Sequence, residues 1–297
     1  MDPFSFIDLT SIHARLKLCG EDKVDLLDRL STNDISTLKE SGQGISTVLT
    51  TNKGRIIDLL KIYFFTDHLM LISDIESVAK VSEWIEFYTI MEDVTQKDVS
   101  HETFQIRIFS DNPKCIFSEI DNYKEDDFFI GNLNGTELVV IANKMNQKNC
   151  VDIIGQISDK KEIIEYLKTD GTQLDEDQFE NIRISLGYPK FGTELTEEFN
   201  PLEALLINHI SFNKGCYIGQ EVVARLNTYD KVQRQMVKLS SDTKLQLGDL
   251  KFRGNIVGKI TSAFNHEGIG FIKKNVLGDT NQLESNESTV EITPITT

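Results

Sequence analysis

The chain has 297 residues, 39% of them hydrophobic, enough to bury a sizeable core and to divide into two or three domains. Its 47 Asp and Glu residues outnumber 31 Lys and Arg, for a formal net charge of -16, which opposes general nucleic-acid binding and attraction to anionic membrane surfaces. No stretch approaches the roughly 18 apolar residues of a membrane span, and MDPFSFIDLT has neither the basic and apolar regions of a signal peptide nor the Arg-rich look of a transit peptide, so the expectation is a cytoplasmic protein.

In chain order, Ile12 to Leu18 alternates apolar and polar residues as a half-buried strand does. Asp22 then caps a helix with Val24, Leu27 and Leu30 on one face. Ile45 to Leu49 and Ile56 to Phe65 read as a hairpin closed by the polar turn Thr50-Thr51-Asn52-Lys53-Gly54-Arg55. After a strand at His68 to Ile72, Asp74 opens a helix carrying Val78 and Ile85, with Trp84 assigned to the core. Phe104 to Phe109 alternates again, Glu137 to Ala142 is a strand, and Ser158 or Asp159 starts a helix with Ile163 and Leu167. Hairpins mixed with single helices indicate an α+β class with mostly antiparallel sheets. Asp175 caps a helix that Gly187-Tyr188-Pro189 stops, and Asn200-Pro201-Leu202-Glu203 has the cap, proline and acidic residue of a helix start, which gives Glu203 a structural role. From Lys231 the short strands around glycines have the texture of a small barrel. Residues 281–297, rich in Thr, Asn, Ser and Glu, are expected to be disordered.

The densest chemistry lies at Lys214-Gly215-Cys216-Tyr217-Ile218-Gly219-Gln220-Glu221, followed by a short helical stripe of Val222, Val223 and Leu226. Two glycines around a cysteine suit a tight loop. A helix N-terminus and Lys214 would both favour its thiolate. By these local arguments alone, Cys216 is equally an inert buried cysteine. The other cysteines, 19, 115 and 150, form no C-x-x-C and no close spacing with histidine, so neither a metal site nor a self-contained cluster site is expected.

Lys214 to Glu221, continuing through Val223-Ala224-Arg225, resembles the K-G-C-[FY]-x-G-Q-E signature of the YgfZ family of folate-binding proteins, relatives of the glycine-cleavage T-protein (aminomethyltransferase) linked to iron-sulfur cluster assembly or repair. Gly20 to Ile35, the Lys53, Arg55 and Asp58 element, and Arg183 to Leu195 are similar to further motifs of that family. The resemblance covers about residues 10 to 275 and implies a three-domain T-protein-like ring: two ferredoxin-like α+β domains and a C-terminal β-barrel. The corresponding division is 1–105, 106–230, with the signature, and 231–280.

The resemblance implies tetrahydrofolate or a one-carbon derivative as cofactor. It assigns Cys216 and Lys214 to the chemistry and Lys53, Arg55, Tyr217, Gln220, Glu221 and Arg225 to folate binding. It implies iron-sulfur assembly proteins or cluster-dependent client enzymes as partners. Two departures separate the chain from the aminomethyltransferase branch. Ser185 stands where T-proteins have a Glu two positions after the Arg183 equivalent, and the aspartate placed on the helix near Lys80 is met here by Val81. On that register the chain lacks the carboxylate that aminomethyl transfer needs. Three functions follow in order: a YgfZ-type accessory factor, an aminomethyltransferase acting with a lipoyl-carrying partner, and a folate-binding module without chemistry.

Overall fold

The computed structural model describes residues 4–285 and 288–296. Its first strand, β1 (Phe4–Asp8), leaves immediately for the second sheet. The chain then forms β2 (His13–Cys19), α1 (Lys23–Leu30), β3 (Gly44–Thr50), β4 (Ile56–Phe64), β5 (Leu69–Asp74), α2 (Val78–Tyr88) and β6 (Thr95–Asp98). These five strands make an antiparallel sheet of order β3-β4-β5-β2-β6. Alternation along β4 sends Leu60 and Ile62 into a core with Leu26, Leu27, Val81 and Ile85 of the two helices, while Tyr63 faces the other way, into a second cluster with Phe128 and Ile154.

The second sheet continues with β7 (Thr103–Phe109), β8 (Phe128–Leu133), β9 (Thr136–Met145), β10 (Lys148–Gln156), α3 (Lys160–Leu167) and β11 (Gly171–Gln173), in the order β11-β1-β7-β10-β9-β8. Phe104, Ile106 and Ile108 of β7 pack against Ile163 and Leu167 of α3. The intervening Gln105 and Arg107 are also buried, at 1% and 3% exposure, because the reverse face of this sheet meets the first sheet rather than water. The division at residue 105 is therefore corrected in two respects: β1 belongs with the second unit, and β7 starts at Thr103.

Helix α4 (Glu176–Leu186) has the expected start, with Gln178 N–H donating to Asp175 Oδ1 at 2.8 Å and Asp175 N–H to Gln178 Oε1 at 2.9 Å. Gly187, at φ 67°, ends it. The helix expected from Asn200 is only a turn. Asn200 Oδ1 accepts from Leu202 and Glu203 N–H, both at 3.0 Å, and Glu203 Oε2 accepts from Asn200 N–H at 3.1 Å, but Leu205 at φ 60° leaves the helical region. Capping chemistry started a turn that the backbone does not propagate.

After α5 (Gln220–Thr228) come β12 (Arg234–Ser240), β13 (Gly248–Phe252), β14 (Asn255–Phe264), β15 (Glu267–Lys273), α6 (Lys274–Leu277), β16 (Gln282–Ser285) and β17 (Ser288–Pro294). The six strands close a barrel, β12-β15-β14-β13-β16-β17. The expectation of a disordered tail is overturned here. Residues 286, 287 and 297 lie outside the described ones, but β16 pairs with β13 and β17 with β12, and Leu283, Val290 and Ile292 fill the barrel interior. The barrel rests on the rest of the molecule through Phe199 and Phe271, stacked at 3.5 Å between ring centroids.

Candidate functional site: a cavity between the two sheets

The reverse faces of the two sheets and the start of α4 enclose a cavity of about 580 Å³. Its walls carry more charge than a core should. Asp58 comes from β4 and is 1% exposed; Leu59 N–H donates to its Oδ1 at 2.8 Å, and Asp74 N–H at 3.2 Å and Ser77 Oγ at 2.5 Å donate to its Oδ2. With no cation paired to it among the described residues, burial outweighs these three hydrogen bonds and pushes the Asp58 carboxyl up to about 7. Burial also raises the carboxyl of neighbouring Asp74. Glu76 lies on the same rim.

The opposite wall is a satisfied ionic network. Arg107 holds Asp152 in a fork, Nε to Oδ1 at 2.6 Å and Nη2 to Oδ2 at 2.7 Å, and Gln105 and Asn143 each donate to Asp152 Oδ2 at 2.9 Å. His13 meets Gln105 Oε1 at 3.3 Å, and burial together with the Arg107 charge lowers its pKa to about 4, so the imidazole is neutral at physiological pH. From α4, Arg183 chelates Glu180 at 2.8 and 2.7 Å and reaches Glu194 at 3.1 Å and Ser262 of the barrel at 2.7 Å. Arg183 thus ties the cavity wall to the third unit. Lys190, half exposed on the same lining, stands 3.9 Å from Glu180 and lies near Asp74.

None of the eight residues expected at the site lines this cavity. The structure does gather them outside it. A Cβ on Gly219 would meet Thr51 O at 2.6 Å, and one on Gly54 would meet Val222 at 3.1 Å, so the signature loop is pressed against the Lys53-Gly54-Arg55 turn. Arg55 is engaged there, donating to Glu198 O at 2.8 Å beside Glu203 at 3.7 Å. Lys53, Glu221 and Arg225 are exposed, Tyr217 is buried at 7%, and Gln220 reaches back to Gly215 O at 3.4 Å.

The role expected of Lys214 is corrected. Its side chain is 1% exposed, and its ammonium donates to the carbonyls of Asp28, Ser31 and Asn33 at 2.5, 3.0 and 2.7 Å and pairs with Asp28 Oδ1 at 2.9 Å. All its donors face the end of α1, so it anchors the loop and none is directed at the thiol. Between the buried anchors Lys214 and Tyr217, Cys216 is exposed. The buried alternative for this cysteine does not hold.

The α2 position read against the expected aspartate does not line the cavity: Val81 is fully buried in the first core, and Lys80 pairs with Glu197. Of the carboxyls that do line it, the fully buried one is Asp58, two strands upstream of that helix. Its signal was present in the sequence: Ile56-Ile57-Asp58-Leu59-Leu60-Lys61-Ile62-Tyr63 puts two charges into an otherwise apolar run. Gln105 and Arg107 gave a fainter one, because an alternating strand also describes a face turned to water.

No protein-family model matches the chain. It is 27% identical over 284 residues to a chloroplastic protein of Arabidopsis thaliana named as a transferase, a match that covers 90% of this chain and 65% of that one. It is 25% identical over 259 residues to an aminomethyltransferase of Thermotoga neapolitana, covering 82% and 70%. The chain thus spans just under two thirds of the Arabidopsis relative's length. The structure superposes on the glycine cleavage system aminomethyltransferase T of Bartonella henselae with a TM-score of 0.82 at 14% identity, over 98% of this chain and 85% of that one. The fold is that of a T-protein. Its three-unit arrangement and closed barrel agree with the expected architecture, and the central cavity lies between the two sheets and α4. Among the described residues, no helix is long and apolar enough to cross a membrane.

Proposed function

We propose that this T-protein-like chain binds a reduced folate in the central cavity and supports iron-sulfur cluster assembly or repair through Cys216 on its outer surface. The observation that carries the first half is Asp58, a carboxyl titrating near neutrality in the wall of a cavity of about 580 Å³, a size suited to a small-molecule cofactor. The donor set fits tetrahydrofolate. Asp74 and Glu76 can accept from the amino edge of a pterin, Phe179 and Leu195 supply apolar wall, and Lys190 can meet the carboxylate end. When bound, the folate supplies the nitrogen that carries a one-carbon unit. Asp58 holds or releases a proton at its carboxyl, Ser77 and the Asp74 N–H fix that carboxyl in place, and the Arg107–Asp152 fork keeps the opposite wall rigid.

The second half is supported by the display of Cys216 between two buried anchors, away from the cavity, where a protein partner has access. A single cysteine supplies one ligand, so a cluster would be shared with that partner. Asp58 also favours a second reading, aminomethyl transfer, because it gives the cavity a buried carboxyl of the kind that chemistry needs. A strain lacking the protein and complemented with Cys216→Ser or Asp58→Asn separates them. Loss of cluster-enzyme activity with Cys216→Ser, and no glycine synthesis by the purified protein with lipoyl protein and folate, supports the accessory role. Normal cluster-enzyme activity with Cys216→Ser, together with glycine synthesis abolished by Asp58→Asn, would establish the transferase.

A further inference from the structure

Behind the central cavity lies a second one, of about 390 Å³, and Leu59, Lys61, Tyr188 and Pro189 form the wall common to both. None of the functional residues discussed above other than this wall belongs to it. Its charges cancel: Lys61 and Lys144 face Glu125 and Asp126. The inner pair is fully engaged, Lys61 Nζ donating to Asp126 Oδ1 at 2.8 Å and to Asn143 Oδ1 at 2.5 Å, with Ser46 Oγ donating to Asp126 Oδ2 at 2.5 Å. The outer pair is not. Lys144 and Glu125 stand 3.9 Å apart, their side chains 44% and 45% exposed, beyond the distance of a good charged hydrogen bond.

Two further features mark this cavity. His209 lines it, burial and the Lys61 charge hold its imidazole neutral, and among the described residues the ring has no hydrogen-bond partner. Three lining residues that are not glycine, Asp126, Asn146 and Leu205, have positive φ, at 68°, 51° and 60°. For a leucine that conformation is costly, and strain of this kind collects at binding sites. A polyanion such as a phosphate ester or a glutamate chain would find no uncompensated cation here, and an isolated amine no uncompensated carboxylate. What matches adjacent opposite charges at the rim, an unpaired neutral imidazole and the apolar surfaces of Ile45 and Leu206 is a molecule with both charges and no net one.

We propose that the second cavity binds a small zwitterion of the amino-acid class, its carboxylate toward Lys144, its ammonium toward Glu125 and its body against His209 and the apolar wall. This goes beyond the folate reading and does not depend on it, because the ligand-free 297-residue chain is titrated.

The test is calorimetry with glycine, L-alanine and L-leucine, with acetate and ethylamine as singly charged probes. At least one amino acid is expected to saturate the protein with affinity about tenfold or more above either control. Lys144→Glu, at an exposed position that leaves the fold intact, should weaken the amino acid about tenfold and make ethylamine the better probe. His209→Phe, checked by circular dichroism, should weaken binding by removing the imidazole nitrogens from the cavity wall. The absence of saturable heat with all three amino acids at millimolar concentration overturns the proposal, as does binding that neither variant changes. Reduced-folate titration of the same variants reads the central cavity separately.

Discussion

Asp58 carries its proton into the neutral range because three donors cannot replace the water that burial removes, and no cation stands in for it. The sign of its effect on stability follows. The unfolded carboxyl ionises near pH 4, while the folded one holds its proton to about 7, so between those values the folded state binds the extra proton and stability falls as pH rises. Relative to Asp58→Asn, the wild type should lose on the order of 3 kcal/mol between pH 4 and pH 7 and change little above it, as read by urea unfolding. A carboxyl resonance with a midpoint near 7 that vanishes in the variant would identify the group; a flat difference would show it is ionised throughout. Lys214 is the contrasting case. The sequence showed a cation beside a cysteine, but a local pattern cannot show where a four-carbon stem points, and this one points inward to three carbonyls and Asp28. Lys214→Met is expected to cost about 2 to 4 kcal/mol by stranding those acceptors, whereas Cys216→Ser should leave thermal stability nearly unchanged.

At the level of elements, hydrophobic period was a reliable guide wherever one face of an element met a core. The α1 stripe, the β3–β4 hairpin and the capped α4 all stand where the pattern puts them. It failed where a polar stretch completes someone else's sheet. In residues 281–297 only Leu283, Val290, Ile292 and Ile295 are apolar and buried among those described, yet β16 and β17 occupy the gap between β13 and β12, and closure of the barrel gives those few residues a core that local composition cannot reveal. Truncation after Asp279 should therefore open the barrel, removing three interior aliphatic side chains worth on the order of 5 kcal/mol together and leaving two unpaired strand edges. Thermal unfolding and limited proteolysis would show it as a lower midpoint and cleavage within residues 231–279; an unchanged melting curve would mean that the last two strands are dispensable. The turn at Asn200 teaches the converse, since a cap of good quality starts a helix only if the following backbone stays helical, and Leu205 does not.

On the scale of the whole molecule, the family resemblance carried the three-unit plan, while the site could not be read from the most distinctive motif. Lys214, bonded to Asp28 across 186 residues of chain, and Gly219, pressed on Thr51, hold the signature loop against α1 and the Lys53–Arg55 turn on one outer surface. The cavity is likewise made of residues far apart in the chain, with Asp58, Arg107 and Arg183 brought together by the docking of two sheets and a helix. The motif and the cavity are thus separate places on one scaffold, a thiol facing outward and a carboxyl facing inward. Calorimetric titration of the native protein with a reduced folate, repeated on Cys216→Ser and on Asp58→Asn, measures that separation directly. Saturable binding of one folate per chain, equal in wild type and Cys216→Ser and weakened about tenfold or more in Asp58→Asn, is the expected result. Absence of binding in the wild type, or binding abolished by Cys216→Ser and indifferent to Asp58→Asn, would contradict it.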